Sequence, residues 1–96
     1  MRPSEALRAH RAEIREIVAR HHATNARVFG SSARDEDDEG SDLDLLVDPT
    51  PQTTLIDIAQ MQLRLEALLG VKVDVLTPKA LPEKFRERVV ADSVPV

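Results

Sequence analysis

The feature that most constrains the fold of this chain is a pair of aspartates at the start of an apolar run. Asp42 and Asp44 flank Leu43, and the run continues through Leu45-Leu46-Val47. Residues i and i+2 of a β-strand point to the same face of a sheet, so the spacing predicts two neighbouring carboxylates on a buried strand. Aspartate is disfavoured inside strands, and two in alternation favour a cation site. The alternative is that Asp42 caps a turn and Asp44 is an ordinary solvent-facing strand residue.

A turn of small residues, Gly30-Ser31-Ser32-Ala33-Arg34, precedes the two aspartates. Gly30 permits a positive φ, and the backbone N–H groups and serine hydroxyls of the turn are donors suited to phosphate. A short helix over Ser32 to Arg34 would add a favourable N-terminal dipole. The turn and the carboxylates together predict a site for a metal-bound nucleotide. The alternative for the turn is a plain strand-to-helix connection with serine as the N-cap. The alternative for Arg34 is an exposed arginine in a loop.

The pattern GSSAR followed by SDLDLLV resembles the signature of the polymerase-β-like nucleotidyltransferase superfamily. It is most similar to the smallest members, the MNT-type proteins that act as antitoxins beside HEPN-domain toxins. The resemblance covers nearly the whole chain and implies a third carboxylate on a neighbouring strand, a position that Asp74 in the segment Val71–Leu76 fits. Without the upstream motif, Asp74 is equally consistent with the polar face of an alternating strand.

The resemblance also implies an activity. Asp42, Asp44 and Asp74 would be both the catalytic residues and the ligands of a two-ion Mg²⁺ site. AMP would pass from ATP to a hydroxyl group, that of a tyrosine in a HEPN-type RNase toxin, and this transfer would neutralise the toxin. The nucleotide-binding residues would be Gly30, Ser31, Ser32 and Arg34.

Two other functions remain open from the sequence. One is a non-catalytic antitoxin that neutralises the toxin by binding and occlusion. The other is nucleotide transfer to a small molecule or to an RNA end. The family usually has glycine where this chain has Asp35; aspartate tolerates left-handed backbone geometry better than most residues, so the turn can survive this change. The added charge lies beside the expected nucleotide pocket.

The distribution of charge limits the partners. The net charge of −4 arises in residues 35–48, which carry eight acids and no base. The only aromatic residues are Phe29 and Phe85. Without a basic stripe or a stacking platform, direct nucleic acid binding is disfavoured, although the arginine-rich first helix keeps it open. The acidic stretch from Asp35 fails as a calcium loop because its twelfth position is Leu46 rather than glutamate.

Length and a 42% hydrophobic content favour a single domain over residues 1–96, and the resemblance implies that it is a minimal nucleotidyltransferase domain. The absence of cysteine excludes disulfides and thiolate metal sites. No apolar run approaches the ~20 residues that span a membrane, and the N-terminus lacks a signal peptide, so we expect a cytoplasmic protein. The histidines lack metal-ligand spacing and are expected mainly as surface residues near a helix end, with His21 as a candidate for the apolar face: His10, His21 and His22.

Hydrophobic periodicity predicts the order α-β-(short α)-β-α-β-α, an α/β (α+β) fold with a small mixed sheet covered by helices. Leu43 to Leu76 is expected to form a right-handed parallel crossover. Residues 35–41 are expected to be an exposed loop, and the C-terminal valines to pack on the sheet or to contact a partner. The expected elements are a helix from an N-cap at Ser4 to about His22, strands Arg27–Phe29, Leu43–Val47 and Val71–Leu76, a helix from Thr54 to Gly70, and a helix from Pro82 to about Ala91.

Overall fold

The computed structural model describes residues 1–96 and contains four α-helices and one four-stranded sheet. The strands lie in the order β3-β2-β1-β4; β2 and β3 are parallel, and the other neighbours are antiparallel. The expected mixed sheet covered by helices is therefore confirmed. The helices are α1 (Pro3–Ala9), α2 (Arg11–Arg20), α3 (Leu55–Leu69) and α4 (Glu83–Asp92), and the strands are β1 (Ala23–Phe29), β2 (Leu43–Pro49), β3 (Val73–Leu76) and β4 (Val94–Pro95), with single 3₁₀ turns at Gly30–Ser32 and Pro78–Ala80.

Helix α3 connects the parallel strands β2 and β3, and both of its ends follow from local sequence. The hydroxyl of Thr54 accepts a hydrogen bond from the Asp57 N–H at 3.1 Å, and the Asp57 carboxylate accepts one from the Thr54 N–H at 2.9 Å. This reciprocal pair is a capping box, which satisfies N–H groups that a helix leaves free at its start. Gly70 ends the helix in the left-handed conformation, with φ +69°. The predicted boundaries of this helix are confirmed.

The core lies between one face of the sheet and helices α1, α2 and α3. Alternate residues of β2 and β3 point into it, and side chains from the helices complete it. The opposite face of β2 carries Asp44, Leu46 and Asp48, and α4 lies beside this part of the sheet next to β1. Fully buried core side chains are Ile14, Leu43, Leu45, Val47, Met61, Leu65 and Val73.

The N-terminal segment differs from the expected single helix. It begins at Pro3, so Ser4 lies inside α1 rather than capping it, and it breaks at His10, where φ is −131° and ψ is 28°. The break orients α1 toward the acidic loop, where the backbone N–H of Ser4 donates to the Asp37 carboxylate at 2.8 Å. A contact between residues so far apart in sequence leaves no trace in local periodicity.

Three other boundaries differ from the sequence-based expectation. Strand β1 begins at Ala23, because Asn25 adopts φ +55° and shifts the register between Thr24 and Arg27. Such a bulge interrupts the period-two pattern by which strands are recognised. The expected short helix from Ser32 is a 3₁₀ turn over Gly30–Ser32, and β3 begins two residues later than expected.

The C-terminal segment adds a strand that the sequence did not predict. Val94 and Pro95 pair with β1, and the Val96 N–H donates to the Ala26 carbonyl at 3.0 Å. Val96 is buried in the core, whereas Val94 is 42% exposed. Of the two options left open for the terminal valines, packing on the chain's own sheet holds for Val96.

The free edge of β3 is covered by side chains of α3. The Val73 N–H donates to Glu66 Oε2 and the Val75 N–H donates to Gln62 Oε1, both at 3.1 Å. Edge strands with free N–H groups are templates for pairing with another chain, so these two acceptors protect the sheet. No helix is long and apolar enough to span a membrane.

Candidate active site

The sheet brings two of the predicted carboxylates side by side. Asp44 on β2 lies opposite Asp74 on the parallel neighbour β3, and Phe29 at the end of β1 lies opposite Asp44 from the other side. Because Leu43 and Val73 point into the core, both aspartates point to the other face. Asp42 directly precedes β2 and is exposed. Asp44 and Asp74 therefore lie side by side at one end of the sheet, and Asp42 lies two residues before Asp44 at the same end.

Burial raises the pKa of Asp44, and the negative charges of Asp74 and Asp42 raise it further. No hydrogen bond or basic group counters these effects at Asp44. By contrast, Asp48 at the far end of the same strand accepts two hydrogen bonds from the Arg27 guanidinium, at 2.9 and 3.2 Å. The carboxylates at the site end thus concentrate negative charge that a cation would neutralise.

The donor set suits a hard divalent cation. The candidate ligands of the site are carboxylate oxygens, which Mg²⁺ prefers over nitrogen or sulfur. As positioned, the side chains do not form a group of three ligands around one point. Mg²⁺ usually keeps several waters and takes one or two carboxylates together with substrate phosphates, so Asp42, Asp44 and Asp74 fit such an ion without forming a closed cage.

Gly30 places the turn against the carboxylates. Its φ is +76°, and a Cβ at this position would lie 2.8 Å from Oδ2 of Asp44. Hydrogen bonds of the turn run from the N–H groups of Ala33 and Arg34 back to the carbonyls of Gly30 and Ser31. The first N–H groups of a helical turn have no partner within it, so they are suited to donating hydrogen bonds to a phosphate oxygen.

The remaining predicted residues of the turn differ in placement. Ser31 is partly exposed, whereas Ser32 is buried with its hydroxyl unpaired. The Ser32 side chain lines a small cavity with Leu7 of α1 and Val28, on the core side of the sheet. The Ser32 hydroxyl is therefore shielded from solvent, and the expected short helix is a 3₁₀ turn. Arg34 is exposed, and its Nε donates to Glu36 Oε2 at 3.1 Å.

Sequence reasoning missed the role of Asp37, which was expected in an exposed loop. Asp37 is only 5% exposed, its Oδ2 accepts the Ser4 N–H at 2.8 Å, and Arg2 Nη1 lies 3.7 Å from its Oδ1. Burial acts to raise the pKa of Asp37, but the hydrogen bond from Ser4 and the charge of Arg2 outweigh it, and the pKa is lowered. Asp37 thus ties the loop before β2 to α1.

Asp35 occupies the left-handed conformation, with φ +56°. This confirms that aspartate can adopt the left-handed backbone conformation at a position where the family usually has glycine. Its carboxylate accepts the Ser4 hydroxyl at 3.3 Å and pairs with Arg2 and Arg8, at 3.4 and 3.5 Å. The guanidinium groups of Arg2, at the start of α1, and of Arg8, within it, therefore pair the Asp35 carboxylate with this helix.

The histidines lie away from these carboxylates. His21 is buried rather than on the surface, and its Nδ1 lies 2.8 Å from the Ile17 carbonyl oxygen. His22 contacts Asp57 at 3.3 Å, and His10 contacts Glu13 at 2.7 Å. They belong to α2 and its ends rather than to the site.

A small mixed sheet with carboxylates on adjacent strands, next to a close-fitting glycine turn, is the arrangement expected of a nucleotide-transferring domain. Residues 11–96 match the nucleotidyltransferase domain family. The chain belongs to this family, and it is a nucleotidyltransferase.

Known proteins are similar in sequence or structure to most of this chain. Protein adenylyltransferase MntA of Thermococcus cleftensis is 37% identical over 88 residues, which make up 92% of this chain and 86% of that protein. A provisionally named protein adenylyltransferase of Methanocaldococcus jannaschii is 36% identical over 80 residues, or 83% and 86% of the two chains. A solved structure provisionally named a minimal nucleotidyltransferase is 46% identical, with TM-score 0.88 over 97% of this chain and 95% of that one.

A more distant likeness concerns the fold. The crystal structure of a toxin–antitoxin with AMP-PNP aligns with TM-score 0.74 at 17% identity, over 88% of this chain and 69% of that one. The MntA–HepT toxin–antitoxin aligns with TM-score 0.68 at 16% identity, over 92% and 69%. At such identities the likeness establishes a shared fold.

Proposed function

We propose that this chain is a Mg²⁺-dependent protein adenylyltransferase that acts as an antitoxin. It transfers AMP from ATP to the hydroxyl group of a tyrosine in a HEPN-type RNase toxin, and this modification neutralises the toxin. The observation that carries the proposal is the convergence of Gly30, Asp44 and Asp74 from three neighbouring parts of the sheet. Relatives named protein adenylyltransferase, at 36% and 37% identity, support the reaction type.

The reaction is an in-line displacement at the α-phosphorus of ATP. The acceptor oxygen forms a bond to that phosphorus, the bond to the oxygen that bridges to the β-phosphate breaks, and pyrophosphate leaves. The hydroxyl proton passes to a base, for which the family resemblance makes Asp74 the candidate. The products are an AMP ester of the acceptor and pyrophosphate.

The residues of this chain divide the work between binding and orientation. Asp42, Asp44 and Asp74 would hold Mg²⁺, which when bound stabilises the negative charge on the entering and leaving oxygens. Gly30 brings the N–H groups of the turn close to Asp44, so that the α-phosphate lies beside the carboxylates. Ser31, whose side chain is partly exposed, is the serine suited to phosphate; Ser32 would contribute its backbone.

The partner proposal depends on the accessibility of Asp44 and Asp74. Both residues are partly exposed at one end of the sheet, so an acceptor hydroxyl from another molecule can reach them. The MntA–HepT toxin–antitoxin structure shares the fold, and this supports a HEPN-type toxin as that molecule.

A second candidate is a non-catalytic antitoxin that binds its toxin and occludes it. The observation that favours it is an exposed apolar stripe on the outer side of α3, where Ile56 is 69% and Leu63 is 66% exposed. Exposed apolar surface of this kind is typical of protein–protein interfaces.

Protection of cells separates the two candidates. The double variant Asp42→Ala/Asp44→Ala should fail to protect cells that express the toxin, while Glu39→Ala, a nearby exposed acid, should protect as wild type does. Both variants should be shown to be folded by circular dichroism. Full protection by the folded double variant would establish occlusion and contradict the adenylyltransferase proposal.

A further inference from the structure

A cleft of about 340 Å³ opens beside the glycine turn, on the side away from β3. Gly30 and Arg34 form the wall on the turn side, and α4 contributes Arg88 and one acid, Asp92, to the opposite wall. Gly30 also abuts Asp44, so one residue borders both the cleft and the carboxylates. A ligand held at Asp44 therefore needs to extend past only this turn to enter the cleft.

Both arginines of the cleft are weakly engaged. Arg88 is highly exposed, and its closest acid is Asp92, with Nε and Oδ2 3.9 Å apart. Arg34 uses its Nε to bind Glu36. The terminal nitrogens of both guanidinium groups donate no hydrogen bond, and exposed pairs of this type contribute little. The terminal nitrogens of both guanidinium groups can thus donate hydrogen bonds to an anion.

The cleft also has apolar walls, formed by Phe29, Phe85 and Val89. Phe85 is 52% exposed, although it is one of only two aromatic residues in the chain. Apolar surroundings lower the local dielectric and strengthen a hydrogen bond between a guanidinium and a phosphate. The two guanidinium groups, which outnumber the single acid of the cleft, are the feature that favours an anionic ligand.

The charges of the two regions are opposite in sign. Carboxylates lie at β2 and β3, while Arg34 and Arg88 lie across the turn, so a ligand that spans both regions needs a metal-binding group followed by a terminal anion. The triphosphate of ATP has this form. We propose that the cleft holds the terminal phosphates of ATP and that Arg88 is a second phosphate-binding arginine, which binds the pyrophosphate as it leaves. This inference rests on the proposed function.

Equilibrium binding tests the assignment without turnover. The full chain is titrated with α,β-methylene-ATP and, separately, with AMP in the presence of Mg²⁺, using wild type, Arg88→Ala, Arg88→Lys and Arg20→Ala. Arg20, the last residue of α2, is also an exposed arginine paired with an acid four residues away in sequence, and it is the control for loss of a surface arginine. Arg88→Ala should weaken binding of the triphosphate about tenfold, the usual size of one lost charged hydrogen bond.

The pattern across ligands decides the outcome. AMP binding should be unchanged in Arg88→Ala, Arg88→Lys should lose less than the alanine variant, and Arg20→Ala should match wild type. Arg88 donates no hydrogen bond within the fold, so its variants should melt as wild type does. Unchanged triphosphate binding, or an equal loss for AMP, overturns the inference and leaves the proposed function intact. Wild type that binds neither nucleotide overturns both.

Discussion

Gly30 and Asp44 approach so closely that a Cβ on Gly30 would lie 2.8 Å from Oδ2 of Asp44. The same glycine has φ +76°, which L side chains rarely adopt. The turn and the carboxylate strand are therefore fitted to each other at this one position. The close approach holds the backbone of the candidate phosphate turn against the carboxylate that has the raised pKa.

Gly30→Ala should damage both stability and activity, because it combines left-handed strain with displacement of Asp44. Gly70→Ala isolates the strain, since Gly70 has φ +69° and nothing within 4 Å of an added Cβ. We expect Gly70→Ala to lower the free energy of unfolding by about 1 kcal/mol. Gly30→Ala should cost about 1 kcal/mol more, because the carboxylate must move. Urea denaturation measures both; equal losses with full activity in Gly30→Ala would contradict the fitted contact.

Asp37→Asn should destabilise the protein at neutral pH. Asp37 is buried and accepts the Ser4 N–H, and its pKa is lowered below the free value of 3.8. A lowered pKa in the folded state means that the ionised carboxylate contributes stability above about pH 3.8, which is lost as the pH falls through the folded-state pKa. We expect a loss of about 1–2 kcal/mol in Asp37→Asn at pH 7, measured by urea denaturation.

The pH dependence provides the control for this prediction. The difference between wild type and Asp37→Asn should shrink toward pH 3, as the wild-type carboxylate becomes protonated. Glu39→Gln, which changes an exposed acid of the same loop, should have little effect at either pH. A difference that stays constant from pH 7 to pH 3 would show that Asp37 acts through its shape rather than through its charge.

The side chains that cover the β3 edge should protect against association. Gln62→Leu/Glu66→Leu removes the acceptors of the Val75 and Val73 N–H groups and leaves the edge free to pair with another chain. We expect the double variant to associate with increasing concentration, as measured by light scattering. Gln60→Leu/Arg64→Leu adds the same residues to exposed positions of α3 and should remain closer to wild type. Equal association of the two variants would attribute the effect to added apolar surface.

Mg²⁺ should stabilise the folded chain through the same carboxylates that repel one another without it. In the metal-free protein the raised pKa of Asp44 means that its ionised form costs stability as the pH rises through that pKa, so Asp44→Asn should be at least as stable at pH 7. Adding Mg²⁺ at about ten times its Kd stabilises the folded chain by about 1.4 kcal/mol and should raise the Tm of wild type by about 8 °C.

Calorimetric scans with EDTA and with Mg²⁺ measure this effect. Asp44→Asn should lose most of the rise in Tm, whereas Glu39→Gln should keep it. A rise of the same size in Asp44→Asn would place the bound ion elsewhere on the chain.

Local signals explain the parts of the fold that the sequence predicted. Thr54 and Asp57 define the start of α3, Gly70 defines its end, and alternation defines β2 and β3 on either side. A strand–helix–strand unit of this length forms a parallel crossover, which places Asp44 and Asp74 on neighbouring strands. The candidate carboxylates thus follow from local patterns combined with one topological rule.

The parts that differed depend on contacts distant in sequence or on unusual backbone angles. The helix break at His10 accompanies the contact between Ser4 and Asp37, which lie 33 residues apart. The bulge at Asn25 lengthens β1 beyond its periodic part. The Ser32 hydroxyl is buried without a hydrogen-bond partner, whereas a serine of a turn is expected at the surface. None of these is encoded in a short window of sequence.

Transfer of labelled nucleotide to the toxin partner tests the central claim most directly. The purified partner is incubated with the chain, Mg²⁺ and ATP labelled at the α-phosphate, in parallel with ATP labelled at the γ-phosphate, and its intact mass is measured. We expect the α label and a mass gain of one or more AMP units on the partner, no γ label, and neither change with Asp44→Ala. An unmodified partner in a stable complex with the wild-type chain would contradict adenylyl transfer and establish occlusion.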